Sequence, residues 1–344
     1  MSIENATHMR QEIEEIPHAI SRLLSEGRAD FMAAGAALRA RDPAAIVTIA
    51  RGSSDHASAF LKYAIELLAG VPVASVGPSI VSIYGRELKL GGTAAISISQ
   101  SGKSPDIVAM TESARRSGAL TFALTNTMGS PLAAAAEHTI ALRSGEEKSV
   151  AATKTFVASI VAGLGVVGNW LDDKALLAAL ESLPEVLDQA VHVDWSPLLG
   201  ALDQHNSLYV LGRGPALAIA AEAALKFKET CGMHAEAYSA AEVLHGPARI
   251  VERHFPVLVL AARDAAESSV AEIAERLAGQ GARTFITSVN AQKAERLPFA
   301  ASGHPLTDAL ALIVTFYAFV EALSRRRGFN PDQPPHLKKV TETL

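Results

Sequence analysis

The chain has 344 residues, 49% apolar and 19% charged, and its 31 Lys+Arg against 36 Asp+Glu leave a formal net charge of −5. That composition supplies a sizeable core, excludes a disordered chain, and has no lysine/arginine block of the kind that binds nucleic acid. A single cysteine, Cys231, rules out an internal disulfide and the Cys-rich zinc patterns.

The chain opens on MSIENATHMR, polar and without an apolar signal core, which predicts a protein that is not secreted. An amphipathic helix follows over 9–24. Strands are predicted at 46–50, 71–76, 93–99, 120–125 and 137–142, with helices between them that include 55–69 and 105–117. Strands separated by helices imply parallel pairing with helices on both faces. The uncharged run 155–171 contains Gly163, Gly165, Gly168 and Asn169 and reads as a buried helix, not a membrane span. A linker is expected around 183–197, where Pro184 and Pro197 lie, and the pattern then recurs from 208 to about 323. The three prolines of 330–335 cannot continue a helix.

That recurrence is visible in the letters. Arg51-Gly52 and Arg213-Gly214 each end an apolar run, 162 residues apart. Gly118-Ala119 and Gly281-Ala282 each open another, 163 residues apart. Two matches at nearly one offset argue for duplication of a βαβ-type unit.

Four stretches could carry chemistry. In the first, a strand runs into Ser99, Gln100, Ser101, Gly102, Lys103 and Ser104, and Pro105 then opens a helix with Ser104 placed as its N-cap. Hydroxyls around a helix N-terminus at the carboxyl end of a parallel strand favour an anion such as phosphate. Ser53 and Ser54, after Arg51-Gly52, would lie at the same sheet edge. The second is a helix over 215–232 that places Glu222, Lys226 and Glu229 on one face, either as a surface salt-bridge row or as a partly buried carboxylate able to carry a proton. In the third, Glu242 and His245 precede Gly246-Pro247; HExxH spacing is missing, so His245 reads as a proton donor or acceptor and no metal is called for. In the fourth, Lys338 and Lys339 near the C-terminus are flanked by Leu337 and Val340, which suggests a tail that packs back over a site.

At these residues the sequence resembles the sugar isomerase (SIS) domain family. Within that family it resembles the isomerase half of glucosamine-6-phosphate synthase and stand-alone deaminases and deglycases. The ordered series THMRQEIEEIPHAI, SQSG, VAATKTF, ALKFKE, HAEAYSAAEVLHGP, DQP and LKKVT carries the resemblance over nearly the whole chain. It implies an α/β fold of two tandem SIS subdomains, each a five-stranded parallel sheet flanked by helices in three layers. The expected organisation is a helical segment over 1–30, subdomains over 31–182 and 198–329, and a tail over 330–344 that folds over the site.

The resemblance also implies roles. Ser99, Gln100, Ser101 and Ser104 match the phosphate loop, Ser53 and Ser54 match phosphosugar contacts, and Val150 matches a backbone contact to the sugar. Glu229 matches the carboxylate that moves a proton between C1 and C2, and Lys226 the lysine that assists it. His245 matches the ring-opening histidine, which in the synthase comes from the other subunit, so a homodimer is expected. Lys339, or Lys338, matches the lysine associated with the open-chain carbonyl. Ala152 stands where serine is common, and Leu244 where lysine often precedes the histidine.

No glutaminase segment is visible before the isomerase-like sequence, so ammonia, not glutamine, is the expected nitrogen species. The expected activity is a phosphosugar isomerase or deaminase interconverting glucosamine 6-phosphate with fructose 6-phosphate plus ammonia, with no cofactor. The alternatives are a deglycase or isomerase of another aminated sugar phosphate, and a non-catalytic sugar-phosphate sensor. The partner is a small phosphosugar, without nucleic acid or membrane, and the expected location is cytoplasmic.

Overall fold

The computed structural model describes residues 6–339; Val340, counted above among the packing residues of the tail, lies outside them. In chain order, α1 (His8–Glu14), α2 (Ile16–Glu26) and α3 (Arg28–Arg41) precede β1 (Ile46–Ile49), α4 (Ser53–Ala69), β2 (Val73–Ser75), α5 (Ser79–Ser82) and β3 (Ala94–Ile98). Then come α6 (Pro105–Arg116), β4 (Leu120–Thr125), α7 (Pro131–Ala135), β5 (His138–Ala141), α8 (Lys154–Leu171), α9 (Lys174–Val191) and α10 (Ser196–Leu202). The remainder is β6 (Ser207–Gly212), α11 (Pro215–Cys231), β7 (His234–Ser239), β8 (Pro256–Val259), α12 (Glu267–Gly279), β9 (Arg283–Ile286), β10 (Glu295–Arg296) and α13 (Pro305–Arg326).

The described residues form two compact units. The first comprises 16–147, 154–184 and 338–339; the second comprises 6–15, 148–153 and 185–337. Each contains one five-stranded sheet. In the first the order is β2-β1-β3-β4-β5, and in the second β7-β6-β8-β9-β10, the same order in the same sense. All pairings are parallel. The central strands β1, β3 and β8 are buried along their whole length, as expected of parallel strands covered on both faces.

The duplication extends to backbone angles. Gly52 has φ 56° and ψ −134° where α4 begins, and Gly214 has φ 60° and ψ −137° where α11 begins. That region is open essentially to glycine alone, so both Arg-Gly turns demand the residue they have.

Three local expectations change. The N-terminal helix is two helices, α1 and α2, with Glu15 between them; Pro17 has no N–H to continue the ladder from α1 and instead sits in the first turn of α2. The segment expected as a linker is helical as far as Val191, with Pro184 inside α9. Leu176, Leu180, Leu183, Leu187 and Ala190 form a buried stripe along that helix, and burial of such a stripe outweighs the roughly 3 kcal/mol cost of an interior proline. β2 is only three residues long, shorter than its apolar run suggests.

The glycine-rich run is α8, a buried core helix as its composition predicts. It and α13 are long and apolar enough to cross a membrane by length and composition alone, but 89% and 94% of their apolar windows are buried inside the structure. In the first unit α3 lies very close to α8, and a Cβ added at Gly35 would stand 2.7 Å from the Trp170 backbone nitrogen. Gly35→Ala gains about 1 kcal/mol of helix propensity, yet the obstructing atom is backbone and cannot turn aside. A net loss of about 1–3 kcal/mol is expected, read as a lower Tm; an unchanged or raised Tm would contradict the close approach.

Candidate active site

In the first unit, the sheet order reverses direction between β1 and β3, which pair with each other. In open parallel sheets, ligands bind beyond the carboxyl ends of the strands at this point. The loop after β1 carries Arg51 and Gly52, and Ser53 and Ser54 are the first two residues of α4. The loop after β3 is the serine segment. Its shape is fixed internally: the Gly102 N–H donates to Ser99 Oγ at 3.2 Å, and the Lys103 N–H to Ser101 Oγ at 3.3 Å. The Gln100 carbonyl accepts from the Asn126 N–H at 3.1 Å and from Thr125 Oγ1 at 3.3 Å. Gly102 has φ 62°, and a side chain there would collide with the Ser130 hydroxyl.

Ser104 occupies the N-cap of α6, with Pro105 following, but its hydroxyl makes no capping hydrogen bond. The expected N-cap position is borne out, and the hydroxyl is not used to close the helix. Asp106, buried in the first turn, is ion-paired with the Arg51 guanidinium. This pair ties the two loops together and balances a negative charge at a place otherwise suited to an anion.

The tail lysines also separate. Lys338 is exposed. Lys339 Nζ lies 3.0 Å from Glu147 Oε2 in the first unit, and that buried carboxylate also accepts from Thr155 Oγ1 at 2.7 Å and from the Thr155 N–H at 3.2 Å. Of the two lysines, Lys339 is the one with a fixed ammonium.

In the second unit, α11 supplies the titratable cluster. Lys226 is completely buried, with Nζ 3.1 Å from Glu222 Oε1 and 2.6 Å from Glu229 Oε2. Glu222 is equally buried and accepts from the Tyr317 hydroxyl at 3.2 Å. The row on one helix face is thus an interior ion triad and not a surface salt-bridge ladder. Burial alone would lower the Lys226 pKa, but the Glu222 and Glu229 carboxylates outweigh it and hold it above its ordinary 10.5. With its folded-state value above 10.5, the contribution that the Lys226 ammonium makes to stability is present below that pH, as long as the two carboxylates stay ionised, and is lost as pH rises through the folded value. Across the neutral range Lys226 stays an ammonium.

Glu229 is the one member with an opening to solvent: 19% of its side chain is exposed. It faces a groove of about 450 Å³ whose lining includes Leu225, Phe329, Pro334, Pro335 and Leu337. Leu337, expected to pack, is 45% exposed at the edge of this groove.

His245 ends a single 3₁₀ turn, Glu242–His245, beyond β7 and is exposed. Val150 lies in the 148–153 segment, and its N–H approaches the Asp332 carbonyl at 3.4 Å. Sequence reasoning missed three groups here: the Arg51–Asp106 pair, Glu147 and Glu12. Glu12 alone had a legible signal, because it falls on the buried stripe of Met9, Ile13 and Ile16.

The SIS domain profile matches residues 41–165 and 201–323. The chain belongs to the SIS domain family. Among its SIS relatives, a glutamine–fructose-6-phosphate aminotransferase (isomerizing) from Sulfurisphaera tokodaii is 30% identical over 337 residues, covering 96% of this chain and 56% of the relative. The chain therefore spans about half the length of the curated relatives it matches. The solved structure of a candidate phosphosugar isomerase from Silicibacter pomeroyi is 54% identical, with a TM-score of 0.93 over 95% of this chain and all of that one. The C-terminal domain of a glucosamine-fructose-6-phosphate aminotransferase from Francisella tularensis shares the fold at 23% identity, with a TM-score of 0.86 over 97% of this SIS chain and all of that one.

Lys226→Met should strand the buried Glu222 carboxylate and cost about 3–5 kcal/mol, with part of the loss recovered when Glu222→Gln is added. Denaturant midpoints decide this, and an unchanged midpoint for Lys226→Met would contradict the buried triad.

Proposed function

We propose that this SIS protein is a phosphosugar isomerase of the deaminating kind, converting glucosamine 6-phosphate and water to fructose 6-phosphate and ammonia, or running the reverse. The observation that carries the reading is the α11 triad: a fully buried ammonium that fixes a partly open carboxylate, Glu229, at 2.6 Å. A base held in place by a permanent cation, with one edge accessible, is what a proton shuttle between adjacent carbons needs.

Roles follow from chemistry. The phosphate is anchored by Ser99, Gln100, Ser101 and Ser104 with Ser53 and Ser54, through hydroxyls and the open N–H groups of two helix starts. His245 moves the proton that opens the ring. Glu229 takes the C2 proton of the open-chain aldehyde and returns a proton to C1, while O1 gains a proton and the amine nitrogen loses one, leaving a C1 hydroxyl and an imine at C2. Water adds to that carbon, ammonia departs, and the ketose remains. Lys226 and Lys339 offset the negative charge that develops on oxygen, Val150 meets the sugar through its backbone, and the 330–339 tail closes over the bound substrate. Lys338, exposed, is left with no role in this scheme.

The largely apolar groove beside Glu229 favours a second reading within the same chemistry: an amino-sugar phosphate carrying a substituent on nitrogen, released as an amine in place of ammonia. Ammonia or amine release across a panel of such substrates separates the two. Tight sugar-phosphate binding without any turnover would instead indicate a sensor.

The exposure of His245 fits a residue offered to a second copy of the chain. Glu229→Gln should lower kcat by about 10²–10⁴-fold, as loss of one positioned acid–base group does. Unchanged turnover would refute the assignment. If the sites are shared across a dimer, co-refolding inactive Glu229→Gln and His245→Ala subunits restores activity. Activity that stays at the level of the separate variants would place both groups in one chain.

A further inference from the structure

Residues 142–153 contain no helix or strand, so neither element sets the direction of the peptide groups around Val150. In the second unit a buried carboxylate does. Glu12, 4% exposed, sits on α1 between Met9 and Ile13, which are wholly buried. It accepts hydrogen bonds from the Lys148 N–H and the Ser149 hydroxyl, while the Ser149 N–H lies 3.3 and 3.4 Å from its two oxygens. The N–H groups of the two residues before Val150 are thereby held by one side chain 136 and 137 residues away in sequence.

The other end of α1 is held as firmly. The Asp332 carboxylate accepts from the His8 and Met9 N–H groups at 2.8 Å each, and Thr7 Oγ1 donates to Glu321 of α13 at 2.8 Å. The Asp332 carbonyl in turn receives the Val150 N–H. α1 therefore braces the 148–150 backbone and the start of the C-terminal tail at once. An apolar residue at position 12 would pack against Met9 and Ile13 without the desolvation cost of a carboxylate. What the carboxylate adds is the orientation of the peptides next to it.

We infer that Glu12 is a positioning residue for substrate: it aims the Val150 backbone at the sugar, so it governs recognition of the sugar and not of the phosphate. This rests on the phosphosugar reading above. The test uses the whole protein and compares Glu12→Gln and Ser149→Ala with wild type. Measurements are KM and kcat on glucosamine 6-phosphate, and Kd for fructose 6-phosphate and for inorganic phosphate alone. Glu12→Gln replaces one acceptor oxygen with an amide that donates, which loosens the hold on residues 148–149, and the sugar-phosphate KM and Kd should rise about tenfold. The kcat should change by less than about threefold and the inorganic-phosphate Kd should hold, the signature of lost ground-state binding. If Glu12→Gln does not fold, Ser149→Ala, which keeps the carboxylate and its backbone partners, should show the same pattern at about threefold. A folded variant with wild-type KM overturns the inference. So does one in which sugar-phosphate and inorganic-phosphate binding weaken alike, which marks a merely structural role. A wild-type protein that binds inorganic phosphate but no sugar phosphate overturns instead the reading on which the inference stands.

Discussion

A buried ammonium is costly to desolvate, and Lys226 is tolerated only because two carboxylates meet it at hydrogen-bond distance. That one constraint organises the second unit. Glu222 is committed to the interior by Lys226 and the Tyr317 hydroxyl. Glu229, three residues on from Lys226 along the same helix, is held by the same cation but keeps an edge in the groove. The triad thus makes a carboxylate that is both immobilised and accessible. Mobile surface carboxylates are accessible without being immobilised, and core carboxylates are immobilised without being accessible. The charge that fixes Glu229 would also oppose any negative charge that develops beside it.

The two halves of the chain share strand order and even the dihedral angles of their Arg-Gly turns, yet they are chemically different. After β3 the first half has Ser99–Ser104, rich in hydroxyls; after β8 the second half has Leu260, Ala261, Ala262 and Arg263, which offer none. The first helix of the first repeat, α4, opens with Ser53 and Ser54, whereas its counterpart α11 opens with Pro215 and carries the ion triad in its later turns. Duplication supplied one scaffold twice, and the copies diverged at the sheet edges and helix faces where ligands meet a parallel sheet. The family membership and the 54% identical solved structure agree with this division in fold.

Much of the fold was legible because its signals are local. Apolar runs with glycine punctuation marked β1, β3, β4 and α8, and Pro215 with Gly232 bracketed α11 to within one residue. The break between α1 and α2 was missed because the apolar stripe continues through it. α9 ran on through Pro184 because buried leucines on one face outweigh a local breaker. Among the candidate residues, the serine loop and the Glu222/Lys226/Glu229 spacing could be read from the sequence; burial, which turns that spacing from a surface row into a triad, could not. Glu147 and Glu12 find their partners 192 and 137 residues away, and no local pattern announces such pairings. Only the misplaced charge on the apolar face of α1 hints at one of them.

The role proposed for Glu229 is to carry hydrogen between neighbouring sugar carbons. Glucosamine 6-phosphate labelled with deuterium at C2 tests it most directly, by following where the label goes. Wild-type protein should move the label to C1 of fructose 6-phosphate or release it to water. Glu229→Gln, still binding inorganic phosphate normally, should leave it at C2. Label transfer by Glu229→Gln at the wild-type rate would contradict the account.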